Sequence, residues 1–102
     1  MKMYLISDNI DTQTGFRLAG VDGSVVHDER ALRESVAVAE QDGDVGVLIF
    51  TEKAADIGRD YVNSLKLSKQ LPLIIEIPDR HGSHDVAGSI NKLVQESVGL
   101  KL

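Results

Sequence analysis

The apolar positions of this chain form two kinds of run, and both meet between residues 44 and 78. At 45–50 (VGVLIF) and 71–77 (LPLIIEI) they are nearly consecutive. A strand with one wet face alternates apolar and polar residues. A consecutive run fits a strand buried on both faces, as in a parallel sheet. Between the two runs, Ala54, Ile57, Gly58, Tyr61, Val62 and Leu65 recur at helical spacing. They give one helix a single apolar or small stripe. Strand, helix, strand is a βαβ unit, and its crossover is expected to be right-handed.

The rest of the chain extends that unit. Residues 2–7 (KMYLIS) predict a first strand, and residues 8–11 a turn. Asp11 or Thr12 is expected to cap a short helix over 14–18, with Gly20 at its end. Residues 21–26 read as a weak second strand broken by Asp22-Gly23, a turn signal; its low apolar content places it at an edge. Asp28 is expected to cap a helix over 29–41 that carries Leu32, Val36 and Ala39 on one face. Residues 42–44 end it, and Thr51 caps the helix of the central unit. The alternation predicts an α/β fold, Rossmann- or receiver-like: a four-stranded parallel sheet in order 2-1-3-4 with flanking helices. Pro78 stops the fourth strand. Residues 79–82 read as a polar linker. Ser83 then caps a C-terminal helix with Val86, Ile90, Leu93, Val94 and Ser97 or Val98 on one face. Two units result: an α/β domain over 1–78, and a linker with C-terminal helix over 79–102 that is either part of the same compact unit or detachable.

Composition narrows the function. The 102 residues suit one domain of modest stability. The chain has no Cys, which removes disulfides, thiol catalysis and thiolate metal sites. Two Tyr, two Phe and no Trp leave little for stacking on bases, and a net charge of −5 opposes a nucleic-acid partner. The start, MKMYLISD, holds too short an apolar run for a signal peptide. No run reaches transmembrane length, so a soluble cytoplasmic protein without direct membrane insertion is expected. Charge is uneven: residues 27–44 hold six acids and two basic residues, whereas 79–102 hold three of each. A solvated helix face explains the acidic stretch better than a docking patch.

Ligands of open α/β sheets bind beyond the carboxyl ends of the strands. Those positions hold Ser7, Asp8 and Asn9, then Thr51, Glu52 and Lys53, then Pro78, Asp79, Arg80 and His81. No GxGxxG or GxxxxGKS/T stretch exists, and Gly15, Gly20 and Gly23 lie too far apart to cradle a pyrophosphate. A receiver-type phosphorelay or small-ligand module is the alternative reading. It needs an Asp ending the third strand, where Thr51 stands followed by Glu52, and a fifth strand with its Lys is missing. His81, His84 and Asp85 have ligand spacing, with His27 elsewhere, but zinc needs converging ligands with a second shell. Ser7 or Ser83 with these histidines lacks a nucleophile elbow. No catalytic residue, cofactor or metal is expected. The stripe of the last helix can pack on the sheet or bind an apolar surface of another protein, which favours a binding module over an enzyme.

One stretch carries a family resemblance: Asp8, then Asp11-Thr12-Gln13-Thr14-Gly15-Phe16-Arg17-Leu18-Ala19-Gly20. It resembles the N-terminal T-x-x-GF-x-LAG-like signature of the F subunit of V-type and A-type rotary ATPases. Residues 47–55 (VLIFTEKAA) are similar to that family's third strand and helix start. Residues 71–78 (LPLIIEIP), with Gly82, resemble its P-x-I-x-x-I-P segment. The stretch from Ser89 to Val94 and on to Leu102 resembles the end of the bacterial members. The match runs in order along essentially the whole chain; only 79–84 is not matched residue by residue.

The resemblance implies a small α/β domain on the central rotor stalk of a proton- or sodium-translocating ATPase or ATP synthase. Such a subunit binds the coiled-coil D subunit and turns with it inside the A3B3 catalytic head, near the stalk subunits that link to the membrane ring. It has no active site, is cytoplasmic and peripheral to the membrane, and in related members carries a mobile, regulatory C-terminal helix. The partner-binding candidates are Gly15, Phe16 and Arg17, with Ile90, Leu93, Val94 and Val98 as a second set. Gly15 would let another backbone or the sheet approach the first helix closely. Phe16 and Leu18 are expected to point to different sides, one into the core and one toward a contact. Arg17 meets an acidic partner residue or water.

Overall fold

A computed structural model describes residues 1–68 and 70–78. Its elements are β1 (Lys2–Ser7), α1 (Ile10–Leu18), β2 (Asp22–Val25), α2 (Glu29–Gln41), β3 (Val45–Thr51), α3 (Glu52–Ile57), α4 (Arg59–Leu67) and β4 (Leu73–Ile77). The strands form one parallel sheet in the order β2-β1-β3-β4. Fold class and strand order are those the hydrophobic pattern predicts. The expected C-terminal helix, with Ile90, Leu93, Val94 and Val98, lies outside the described residues. So do the linker and its histidines.

Every residue of β3 is buried, as its consecutive apolar run requires. Leu48 and Phe50 face one side with Ile6 and Val26; the helices over that side supply Leu32, Val36, Ala39, Ala54, Ala55 and Val62. Val47 and Ile49 face the other side with Leu5, Ile75, Ile77 and Phe16 of α1. Each such side chain contributes roughly 1.5–3 kcal/mol by leaving water. Asp28 caps α2 by accepting from the Ala31 N–H at 2.7 Å, and Thr51 caps α3 through the Ala54 N–H at 3.2 Å. Gly20 follows α1 at φ +90°, a backbone that glycine adopts without strain.

Four local expectations are corrected. The first helix starts at Ile10, not 14, and its cap is Asn9, whose side chain accepts from the Thr12 N–H at 2.7 Å. Asp11 and Thr12 lie inside the first turn. Ile10 faces water, so no apolar period marks that turn. Asp22-Gly23 is not a turn but the start of β2. Gly23 is there because a Cβ would come within 2.7 Å of the Leu5 carbonyl oxygen, an approach only glycine allows. The central helix is two helices broken at Gly58. A Cβ at 58 would meet Leu32 Cδ2 at 2.7 Å, so the glycine admits α2 and interrupts the helix together. The fourth strand also begins at Leu73 rather than 71, after a cis Leu71-Pro72 peptide.

Candidate functional site

The carboxyl ends of β1 and β3 bring Ser7, Asp8, Asn9 and Thr51 together, as the topology predicts. Thr51 Oγ1 donates to Asp8 Oδ1 at 2.8 Å and accepts from the Asp8 N–H at 3.3 Å. Asn9 Nδ2 donates to the same Asp8 oxygen at 3.1 Å. Ser7 Oγ donates to the Asn9 carbonyl at 2.8 Å and accepts from the Asn9 N–H at 3.0 Å. Asn9 and Thr51 also cap α1 and α3. Each of these groups therefore serves a loop or a helix start. The position where a receiver carries its phosphoacceptor is Thr51, and its hydroxyl is spent on Asp8 and on α3. Glu52, Lys53 and His27 face solvent. Among the described residues, no group of three His, Cys, Asp or Glu is placed to hold a metal.

The other candidates lie on α1. Phe16 is fully buried, at 0% exposure. It is the core member of the Phe16 and Leu18 pair expected to point to different sides; its ring shapes the helix's seat on the sheet, and a partner role for it stays a proposal. Leu18 points the other way, 85% exposed, and Ile10 is 67% exposed. Thr14, Gly15 and Arg17 are exposed as well. Ile10, Thr14 and Leu18 follow each other at four-residue intervals and share an outward face. Among the described residues, a Cβ on Gly15 would meet nothing within 4 Å. The sheet therefore does not approach the helix at Gly15, which corrects half of that expectation; among the described residues the missing side chain leaves a notch in the outer surface. Sequence reasoning missed Ile10. Its signal was the four-residue step to Thr14 and Leu18.

A charge cluster that the sequence did not announce ties α4 to β4. Glu76 accepts from Arg59 Nη1 at 2.6 Å and from Lys66 Nζ, and Arg59 also pairs with Asp56. Burial alone would raise the Glu76 carboxyl; the hydrogen bonds from Arg59 and Lys66 outweigh it and hold the group below its usual range. The same bonds, to Glu76 first and Asp56 second, push the Arg59 guanidinium up. On the neighbouring surface the Arg33 guanidinium lies 4.2 Å from the centre of the Tyr61 ring, a cation–π contact between α2 and α4. Burial, then the Glu40 charge, pushes the Tyr61 phenol up.

Against this geometry stand the relatives. The family model described as the ATP synthase (F/14-kDa) subunit matches residues 3–94. The chain belongs to that family. Similar proteins include the A-type ATP synthase F subunit of Methanosphaera stadtmanae, 35% identical over 90% of this chain and 88% of its own length. The protein of the same name from Pyrococcus abyssi is 35% identical over 100% of this chain and 98% of its own length. Membership of this family makes the chain a subunit of a rotary ATPase and directs attention from strand-end chemistry to surfaces. No described helix is long and apolar enough to cross a membrane.

Proposed function

We propose that this chain is a non-catalytic central-stalk subunit of a V/A-type proton- or sodium-translocating ATPase. It is cytoplasmic, peripheral to the membrane, and takes part in coupling or regulating ATP hydrolysis and synthesis. In this reading it binds the coiled-coil D subunit and turns with it inside the A3B3 head, toward the stalk subunits linked to the membrane ring. One observation carries the reading: the outward face of α1, on the segment that carries the family signature, is apolar and notched. Leu18 and Ile10 are exposed, and none of the described residues covers the Gly15 notch. A partner helix crossing at Gly15 approaches backbone to backbone. Burying Leu18 and Ile10 there contributes roughly 1.5–3 kcal/mol each at full burial. Arg17 is placed for an acidic group on that partner. Ile90, Leu93, Val94 and Val98 are the proposed second contact set.

The test is co-expression with a D-type subunit and then size exclusion. A single co-eluting peak is expected. Two separate peaks at micromolar concentration would remove the D-binding reading.

A further inference from the structure

The amino ends of β3 and β4 form a surface apart from α1. Two adjoining depressions lie there. The floor of one is Val36, Leu48, Leu65 and Ile74; the other runs past Met1 and Val45. Leu71, Pro72 and Glu40 border both. Leu71 is 69% exposed and Met1 87% exposed, so two large apolar side chains stand in water at one rim. Acidic residues line the same depression: Glu40, Asp42 and Asp44, all exposed. Asp42 is satisfied by Lys2 at 2.9 Å. Glu40 and Asp44 hold no ion pair among the described residues.

We propose that this trough docks a segment of a partner protein that carries lysine or arginine beside large apolar side chains. The charges select the occupant. Among the described residues one lysine, Lys2, stands against three carboxylates, so the rim favours a cation and repels nucleic acid and anionic lipid. A second copy of this chain, with its net −5, brings the wrong sign. A lysine or arginine lays its aliphatic stem along Leu71 and Met1 while its head reaches Glu40 or Asp44. A leucine-sized neighbour fills the floor between α2 and α4. The trough adjoins α2 and α4 on one side of the sheet, and α1 packs on the other. It is therefore separate from the surface proposed for the D subunit and does not depend on that reading.

The test is an amide NMR titration of the full chain with a synthetic amphipathic Leu/Lys peptide and with its Leu/Glu counterpart. The Leu/Lys peptide is expected to give saturable shifts confined to residues 40–46 and 65–74, and the Leu/Glu peptide none. The double variant E40K/D44K is expected to weaken the Leu/Lys peptide roughly tenfold or more while keeping a dispersed spectrum, since both side chains are exposed. L71D should weaken it as well; should L71D unfold the chain, the double variant decides alone. Shifts centred on α1, non-saturable shifts over the whole chain, or undiminished binding by E40K/D44K would overturn the proposal. Co-elution with the D subunit is a separate readout, so the two ideas fail separately.

Discussion

Glu76 sets one carboxylate against two cations at the seam of α4 and β4. Its folded pKa is depressed, so its stabilising effect is present above the unfolded carboxylate range and is lost as pH falls through the folded value. Hydrogen bonds to charged groups are worth about 1.5–3 kcal/mol, and partial exposure of Arg59 and Lys66 reduces that. Glu76→Gln is therefore expected to cost about 1–2 kcal/mol near neutral pH. Denaturant unfolding at about pH 7 and about pH 3.5 checks the sign: the gap to the parent must close in acid. Gly23 gives a second residue-scale test with no titrating group. Its missing Cβ would lie 2.7 Å from the Leu5 carbonyl oxygen, and backbone cannot swing aside as a side chain can. Gly23→Ala is expected to destabilise by about 1–3 kcal/mol, read as a lowered denaturant midpoint.

At the scale of elements, α1 separates stability from binding. Gly15 sits in a helix with open space above it, so Gly15→Leu gains helix propensity, about 0.5–1 kcal/mol, while filling the notch. Thermal unfolding should show an unchanged or higher midpoint, and co-elution with the D subunit should weaken. A variant that binds as before would place the partner elsewhere. Much of this level was legible beforehand. A consecutive apolar run marked β3 as buried on both faces, and the poor apolar content of β2 placed it at the edge; the same reading failed for β4, an edge strand in which only Ile75 and Ile77, on one face, are buried. The helix ends were read less well, for physical reasons. Asn9 caps a turn whose first residue, Ile10, is exposed, so no period reveals it. Gly23 looks like a turn signal in sequence and Gly58 like one position of a helix stripe, and what they do is admit Leu5 and Leu32. Those neighbours are close only in the folded chain. Of the site, Gly15 and Arg17 are exposed and their partner role stays a proposal, whereas the choice between Phe16 and Leu18 needed the sheet. The acidic trough was invisible because Glu40, Asp44 and Leu71 meet only across three elements.

At the scale of the whole molecule, the described helices cover the two sheet faces unequally. One carries α2, α3 and α4. The other carries α1, which rests on β1 and β2. Yet Val47, Ile49, Ile75 and Ile77 on that second side are 0–6% exposed. The stretch 79–102, with its apolar positions Ile90, Leu93, Val94 and Val98, lies outside the described residues, and truncation decides between its being part of the compact unit and its being detachable. If the stretch belongs to the compact unit, deleting 79–102 is expected to lower stability by at least about 3 kcal/mol, the equivalent of one to two fully buried aliphatic side chains, and to create an apolar patch that binds a hydrophobic dye. A truncated chain as stable as the parent and silent toward the dye would instead leave those four residues to partner contact alone.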